Sequence, residues 1–126
     1  VSGTLIVGHG FAFDRRMLDG SCRRFMGGYQ LPWQPGCTLD SGLIEKSIQA
    51  GKTPWPGESR DEWFKRVNNA RLSGVKWSLD GHCLKKYALD QRYQLEAKDS
   101  HTAGGDVAAT YGLIETFRHL LDGSIQ

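Results

Sequence analysis

Thr4-Leu-Ile-Val-Gly-His-Gly-Phe-Ala-Phe-Asp14 opens on an unbroken apolar run and closes on a carboxylate. A short β-branched run bounded by glycine predicts a strand buried on both faces. Behind it, Met17, Leu18, Cys22 and Phe25 fall on one helical face, while Arg15, Arg16, Arg23 and Arg24 lie largely off it. The chain is therefore expected to pass from strand to helix near Asp14. A carboxylate in a first helical turn is favoured by the helix dipole whether or not it has a function. Gly27-Gly28 is expected to end the helix.

Further along, Tyr29 to Cys37 is a connector rich in turn residues, and Cys37-Thr-Leu39 predicts a second short strand. Asp40 or Ser41 can cap a helix to about Ala50, with Leu43, Ile44 and Ile48 inward and Gly51 as its stop. Thr53-Pro-Trp-Pro-Gly57 is a rigid connector. Ser59 with Glu62 three places on forms a capping-box pattern for a helix to about Leu72, with Trp63, Phe64 and Val67 on its apolar side. Ser78 can cap a helix from Leu79 to about Leu89. Residues 90–100 are polar and read as loop. Val107, Tyr111, Ile114, Phe117 and Leu121 have the spacing of one buried stripe on a last helix, ended by Gly123.

The pattern is a helix-rich α/β one with two strands. Two short strands cannot make a sheet that covers five helices. Further strands are expected to be missing from an excerpt or to come from another chain. The start at Val1 rather than methionine fits an excerpt or a processed product.

A chain of 126 residues at 39% hydrophobic and 24% charged supports one globular domain with a core of its own. The net charge of +2 says little about partners, but the arginine cluster at 15, 16, 23 and 24 and the basic middle of the chain suit phosphate as well as a solvated surface. Cys22, Cys37 and Cys83 are odd in number, lack a Cys-x-x-Cys spacing and lie among apolar residues, so buried free thiols in a reducing, cytoplasmic setting are expected. A zinc module built from these thiols and the histidines lacks suitable spacing. No apolar run approaches the roughly 18 residues of a membrane helix.

The late stretch His101-Thr-Ala-Gly-Gly-Asp106 brings a second carboxylate and a histidine to the start of the last helix. Residues five apart are separated by about 140° on a helix. If His101 precedes the helix and Asp106 lies in its first turns, both can point to one cleft. Gly104 and Gly105 are poor helix formers, so at a helix start they suggest close approach by a ligand or another backbone.

Taken together, these stretches resemble a known family. Val7-Gly-His-Gly-Phe-Ala-Phe-Asp14 resembles the second motif of the DnaQ-like 3′–5′ exonucleases. Trp77-Ser-Leu-Asp-Gly-His-Cys-Leu-Lys-Lys-Tyr87 resembles the helix before their third motif. His101-x-Ala103-x-x-Asp106-x-x-Ala109-Thr110 resembles the third motif itself, in the DEDDh subclass with a histidine base. Cys37 to Asp40 and the helix after it sit where the family has a strand and a helix. The order is correct over nearly the whole chain, apart from a probable insertion at residues 52–76.

The resemblance implies a ribonuclease H-like, DnaQ-like α/β fold, N-terminally truncated and with few strands. It implies a metal-dependent 3′–5′ exonuclease that hydrolyses phosphodiesters at single-stranded 3′ ends of DNA or RNA. Asp14 and Asp106 would be ligands to Mg²⁺ or Mn²⁺ in a two-metal site. His101 would take the proton of the attacking water. His9 and Phe11 would lie near the terminal nucleotide.

The family's first motif, an Asp-x-Glu on an earlier strand, is absent: none of the 14 acidic residues stands in that pattern. Two carboxylates and a histidine hold two hard divalent ions poorly. This leaves the C-terminal part of a larger exonuclease, a partner chain or second copy that supplies the missing strands, or a catalytically incomplete exonuclease-fold module that binds nucleic acid or a protein. Such a module would use the arginine cluster, or the segment carrying Trp55, Trp63 and Trp77, as its contact surface.

Overall fold

In the computed structural model, residues 5–34, 36–93 and 103–122 are described. The chain is a helix-rich α/β structure with a small parallel sheet. Strand β1 (Ile6–Gly8) pairs with β2 (Thr38–Asp40) in the register Ile6↔Thr38, Val7↔Leu39 and Gly8↔Asp40. Helix α1 (Phe11–Phe25) lies between them in sequence, as a parallel pair requires. Helices α2 (Ser41–Ala50) and α3 (Arg60–Asn69) follow and pack on each other. A π-helical turn at Leu79–Cys83 runs into the short helices α4 (Leu84–Lys86) and α5 (Leu89–Arg92). The long helix α6 (Ala103–Asp122) packs on that turn, α5, α2 and β1.

The local chemistry explains most of the element boundaries. Gly10 takes a φ of 69° immediately before α1, a left-handed conformation that glycine adopts without a Cβ penalty. Asp40 caps α2 by accepting the N–H groups of Gly42 and Leu43, and Gly51 ends that helix with a φ of 66°. Ser59 caps α3 by accepting the N–H of Glu62 at 3.2 Å. The connector before α3 is held by Arg66, which donates to Glu58 and to the Thr53 carbonyl and lies over the Trp55 ring at 3.9 Å. The Arg66 guanidinium holds the Glu58 carboxyl down to about 2, against the opposing effect of desolvation.

The core is built from Cys83, Leu89, Leu113 and Phe117, with Ile44, Leu79, Leu84, Tyr87, Tyr93 and Ile114 packed around it. Phe64 and Val67 of α3 are also buried. The capping of α2 and α3 and the positions of both strands agree with the sequence within a residue or so, though α3 stops at Asn69, short of Leu72.

Several expected burial patterns are corrected. The first strand is not buried on both faces: Leu5, Ile6 and Val7 are 46%, 38% and 42% exposed. Among the described residues it has one neighbouring strand, so little covers it. On α1, Cys22 is buried, but Met17, Leu18 and Phe25 are exposed. On α2 the buried positions are Ser41, Gly42, Glu45 and Ser47, while Ile48 faces solvent.

The helix expected from Leu79 to Leu89 is interrupted, because Ala88 takes a left-handed φ of 51° between α4 and α5, and the Ser78 side chain makes no capping bond. Residues 89–92 are helical rather than loop. On α6, Val107 and Tyr111 are exposed; Ala109, Leu113, Thr116 and Phe117 form the buried stripe, with Ile114 beside it. The side chain of Leu121, and Gly123, lie outside the described residues.

Candidate functional site

Asp14 sits in the first turn of α1 and Asp106 in the first turn of α6. The two helices are far apart in sequence, yet both carboxylates line one cleft of about 650 Å³. Val7 and Gly8 of β1, His9 after it, Ser78 and Gly81 also line it. That volume lies within the usual range of roughly 300–1,000 Å³ for small-molecule sites. Among the described residues, neither carboxylate is engaged in a hydrogen bond or an ion pair. Each is placed where a helix N-terminus favours negative charge. The arrangement is a cleft with two uncommitted oxygen donors on facing elements.

His9 also lines this cleft, but its ring is committed to the fold. Nε2 donates to the Trp77 carbonyl at 2.6 Å, and Nδ1 lies 2.8 Å from the Ser41 hydroxyl. The ring also stacks at a tilt on Trp77, 5.6 Å between centroids. His9 therefore ties β1 to α2 and to the segment before the π-helical turn. Phe11 does not line the cleft; its ring packs edge-on against Trp33 and close over Gly8. His101 lies outside the described residues.

Of the two glycines expected to admit a close neighbour, Gly104 does not. A Cβ at Gly104 would meet open space. A close approach on α6 is found at Gly112, where a Cβ would come within 2.8 Å of the Tyr93 ring.

The donor set falls short of the two-metal expectation. Hard divalent ions such as Mg²⁺ take about six oxygen ligands. Among the described residues, no group of three or more His, Cys, Asp or Glu is placed to hold a metal ion. Asp14 and Asp106 alone do not fit two ions. The His82-Cys83 pair offers no alternative. Burial pushes the Cys83 thiol up to about 12, so it is not a thiolate at neutral pH. His82 Nε2 faces Gln49 at 3.1 Å and Glu45 at 3.4 Å.

That carboxylate belongs to a group that sequence reasoning missed. Glu45 is fully buried, and its oxygens accept from Lys86 at 2.6 Å, Tyr87 at 2.6 Å and Gln49 at 2.9 Å. Burial pushes the Glu45 carboxyl up, but the combined hydrogen bonds from Lys86, Tyr87 and Gln49 outweigh it and hold the group below the ordinary carboxylate range. Burial and the Glu45 charge together raise Tyr87. The network joins α2 to α4 and acts as a clamp. The signal in the sequence was the helical spacing of Glu45 and Gln49 beside the small residues Ser41 and Gly42, which marks a face that another element approaches closely.

No family model, no curated protein and no solved structure matches the chain. Among the described residues, no helix is long and apolar enough to cross a membrane.

Proposed function

We propose that this chain carries one wall of the active site of a metal-dependent 3′–5′ exonuclease of the DEDDh type, with a DnaQ-like, ribonuclease H-like fold. The observation that carries the reading is that Asp14 and Asp106, from distant parts of the sequence, line one cleft without other commitments among the described residues. The motif order in the sequence is its second support.

In this reading Asp14 and Asp106 are the carboxylates that would hold Mg²⁺ or Mn²⁺, which supplies positive charge beside the scissile phosphate when further oxygens complete its shell. His101 accepts the proton of the attacking water. The water oxygen bonds to phosphorus as the bond from phosphorus to the 3′-oxygen of the preceding nucleotide breaks; that oxygen takes a proton from solvent to become the new 3′-hydroxyl, and the terminal nucleotide leaves as its 5′-monophosphate. His9 lines the cleft.

The experiment is release of mononucleotides from a 5′-labelled single strand, DNA or RNA, with Mn²⁺ or Mg²⁺. The expected result is a ladder of products shortened from the 3′ end, lost in His101→Ala, Asp14→Asn and Asp106→Asn. Products that are internal, or that persist in all three variants, contradict the reading.

A second reading is favoured by the shortage of metal ligands among the described residues. Here the chain is a catalytically incomplete module that binds nucleic acid. It predicts salt-dependent affinity for the same strands with no cleavage at any divalent concentration.

A further inference from the structure

A second pocket, of about 430 Å³, is lined from α1 by Ala12, Phe13 and Arg16 rather than by Asp14, and its walls carry a different chemistry. Arg16 from α1, Lys46 from α2 and Lys65 from α3 line it. Cations from three separate elements thus converge on one space. Among the described residues, none of the three is paired with a carboxylate. Asp40, the acid in the lining, is buried, and its oxygens already accept the backbone N–H groups of Gly10, Phe11, Gly42 and Leu43. Those bonds turn its oxygens to the starts of α1 and α2, none of the three cations pairs with it, and three positive charges face one negative charge in the lining.

The same lining holds aromatic rings. The Lys46 ammonium sits 4.2 Å from the centre of the Trp77 ring. Phe13, 59% exposed, also lines it. An apolar ring left in solvent beside cations in net excess is what a ligand with a flat aromatic part and an anionic part would cover. Cations alone would suit any anion, and aromatic rings alone any apolar group; their convergence selects a ligand that carries both.

We infer that this pocket binds a nucleoside phosphate, either free or as a unit of a single strand. The phosphate meets Arg16, Lys46 and Lys65, and the base stacks on Phe13 at the rim. This inference does not depend on the Asp14 and Asp106 cleft being catalytic.

The test is the fluorescence anisotropy of N-methylanthraniloyl-AMP on the full chain in EDTA, which removes any divalent-dependent event. Binding is expected, weakened at least about tenfold in Lys46→Gln/Lys65→Gln and again in Arg16→Gln. Asp14→Asn/Asp106→Asn should bind as the native chain does. Far-UV circular dichroism checks that each variant is folded, and Arg16 and Lys65 are exposed enough for their replacement to leave the core intact. Competition separates the sources. Displacement by unlabelled AMP but not by oligodeoxythymidine assigns the pocket to free nucleotide, and tighter displacement by the oligonucleotide assigns it to a strand. No binding, binding unchanged by all three cation substitutions, or displacement by inorganic phosphate or phosphotyrosine as effective as that by AMP would overturn the inference.

Discussion

The Asp40 carboxylate accepts the backbone N–H of Gly10 at 2.9 Å, so the residue that caps α2 also fixes the start of α1. Its second oxygen accepts the N–H of Phe11 at 2.9 Å. The first turn of α1 carries Asp14, and His9 directly follows β1. One buried side chain in β2 therefore sets the position of a candidate ligand on another element.

Asp40→Ala should destabilise the chain more than loss of an ordinary cap, because two helix starts lose their acceptor. Single caps are worth about 0.5–2 kcal/mol, so a loss of about 1–4 kcal/mol is expected in urea unfolding. Asp40→Asn should recover much of it, since the oxygen kept can still accept from Gly10, Gly42 and Leu43. Equal losses in the two variants would show that the acceptor oxygen is not what matters.

Glu45 predicts a dependence on pH. Its carboxyl is held below its ordinary value in the folded chain, so it contributes stability above the unfolded value of 4.5 and loses it as pH falls through the folded value. As pH falls below 4.5, native protein should lose more stability than Glu45→Gln does. At neutral pH, Glu45→Ala should cost about 1–3 kcal/mol, because it leaves the Tyr87 hydroxyl and the Lys86 ammonium without their acceptor. A parallel pH profile in the native and Glu45→Gln proteins would contradict the clamp.

Both strands and the caps at Asp40 and Ser59 were legible because they rest on local chemistry: β-branched runs, short polar side chains and glycines at stops. Asp14 and Asp106 were legible as candidates from their motifs, and the fold brings them to one cleft. The buried faces were less legible. Periodicity marks which residues could be inside, but tertiary neighbours decide which are. Val107 and Tyr111 belong to the predicted stripe, yet they lie on the cleft side of α6, away from the Leu113 and Phe117 core. Glu45 was legible only through its small neighbours, because a charged residue is read as outward until its partners, 41 and 42 residues on in sequence, are known to meet it. The break at Ala88 has no glycine or proline to announce it.

Two glycines on α6 should respond in opposite ways to alanine. Gly104 has open space around its missing Cβ, so Gly104→Ala should be neutral or stabilising by up to about 1 kcal/mol. At Gly112 a Cβ would press on the Tyr93 ring, so Gly112→Ala should cost about 1–3 kcal/mol. Thermal unfolding of both variants checks this. A stabilising Gly112→Ala would mean that Tyr93 does not pack there.

The proposed function requires Asp14 and Asp106 to form a shared site for a divalent cation at one cleft. Titration of Mn²⁺ into ¹⁵N-labelled protein tests it directly, because the ion broadens amide resonances near where it binds. Selective broadening around Gly8, Gly81 and Thr110, which line the cleft, is predicted, and it should disappear in Asp14→Asn/Asp106→Asn. Broadening elsewhere, or broadening at the cleft that survives the double substitution, would contradict the account.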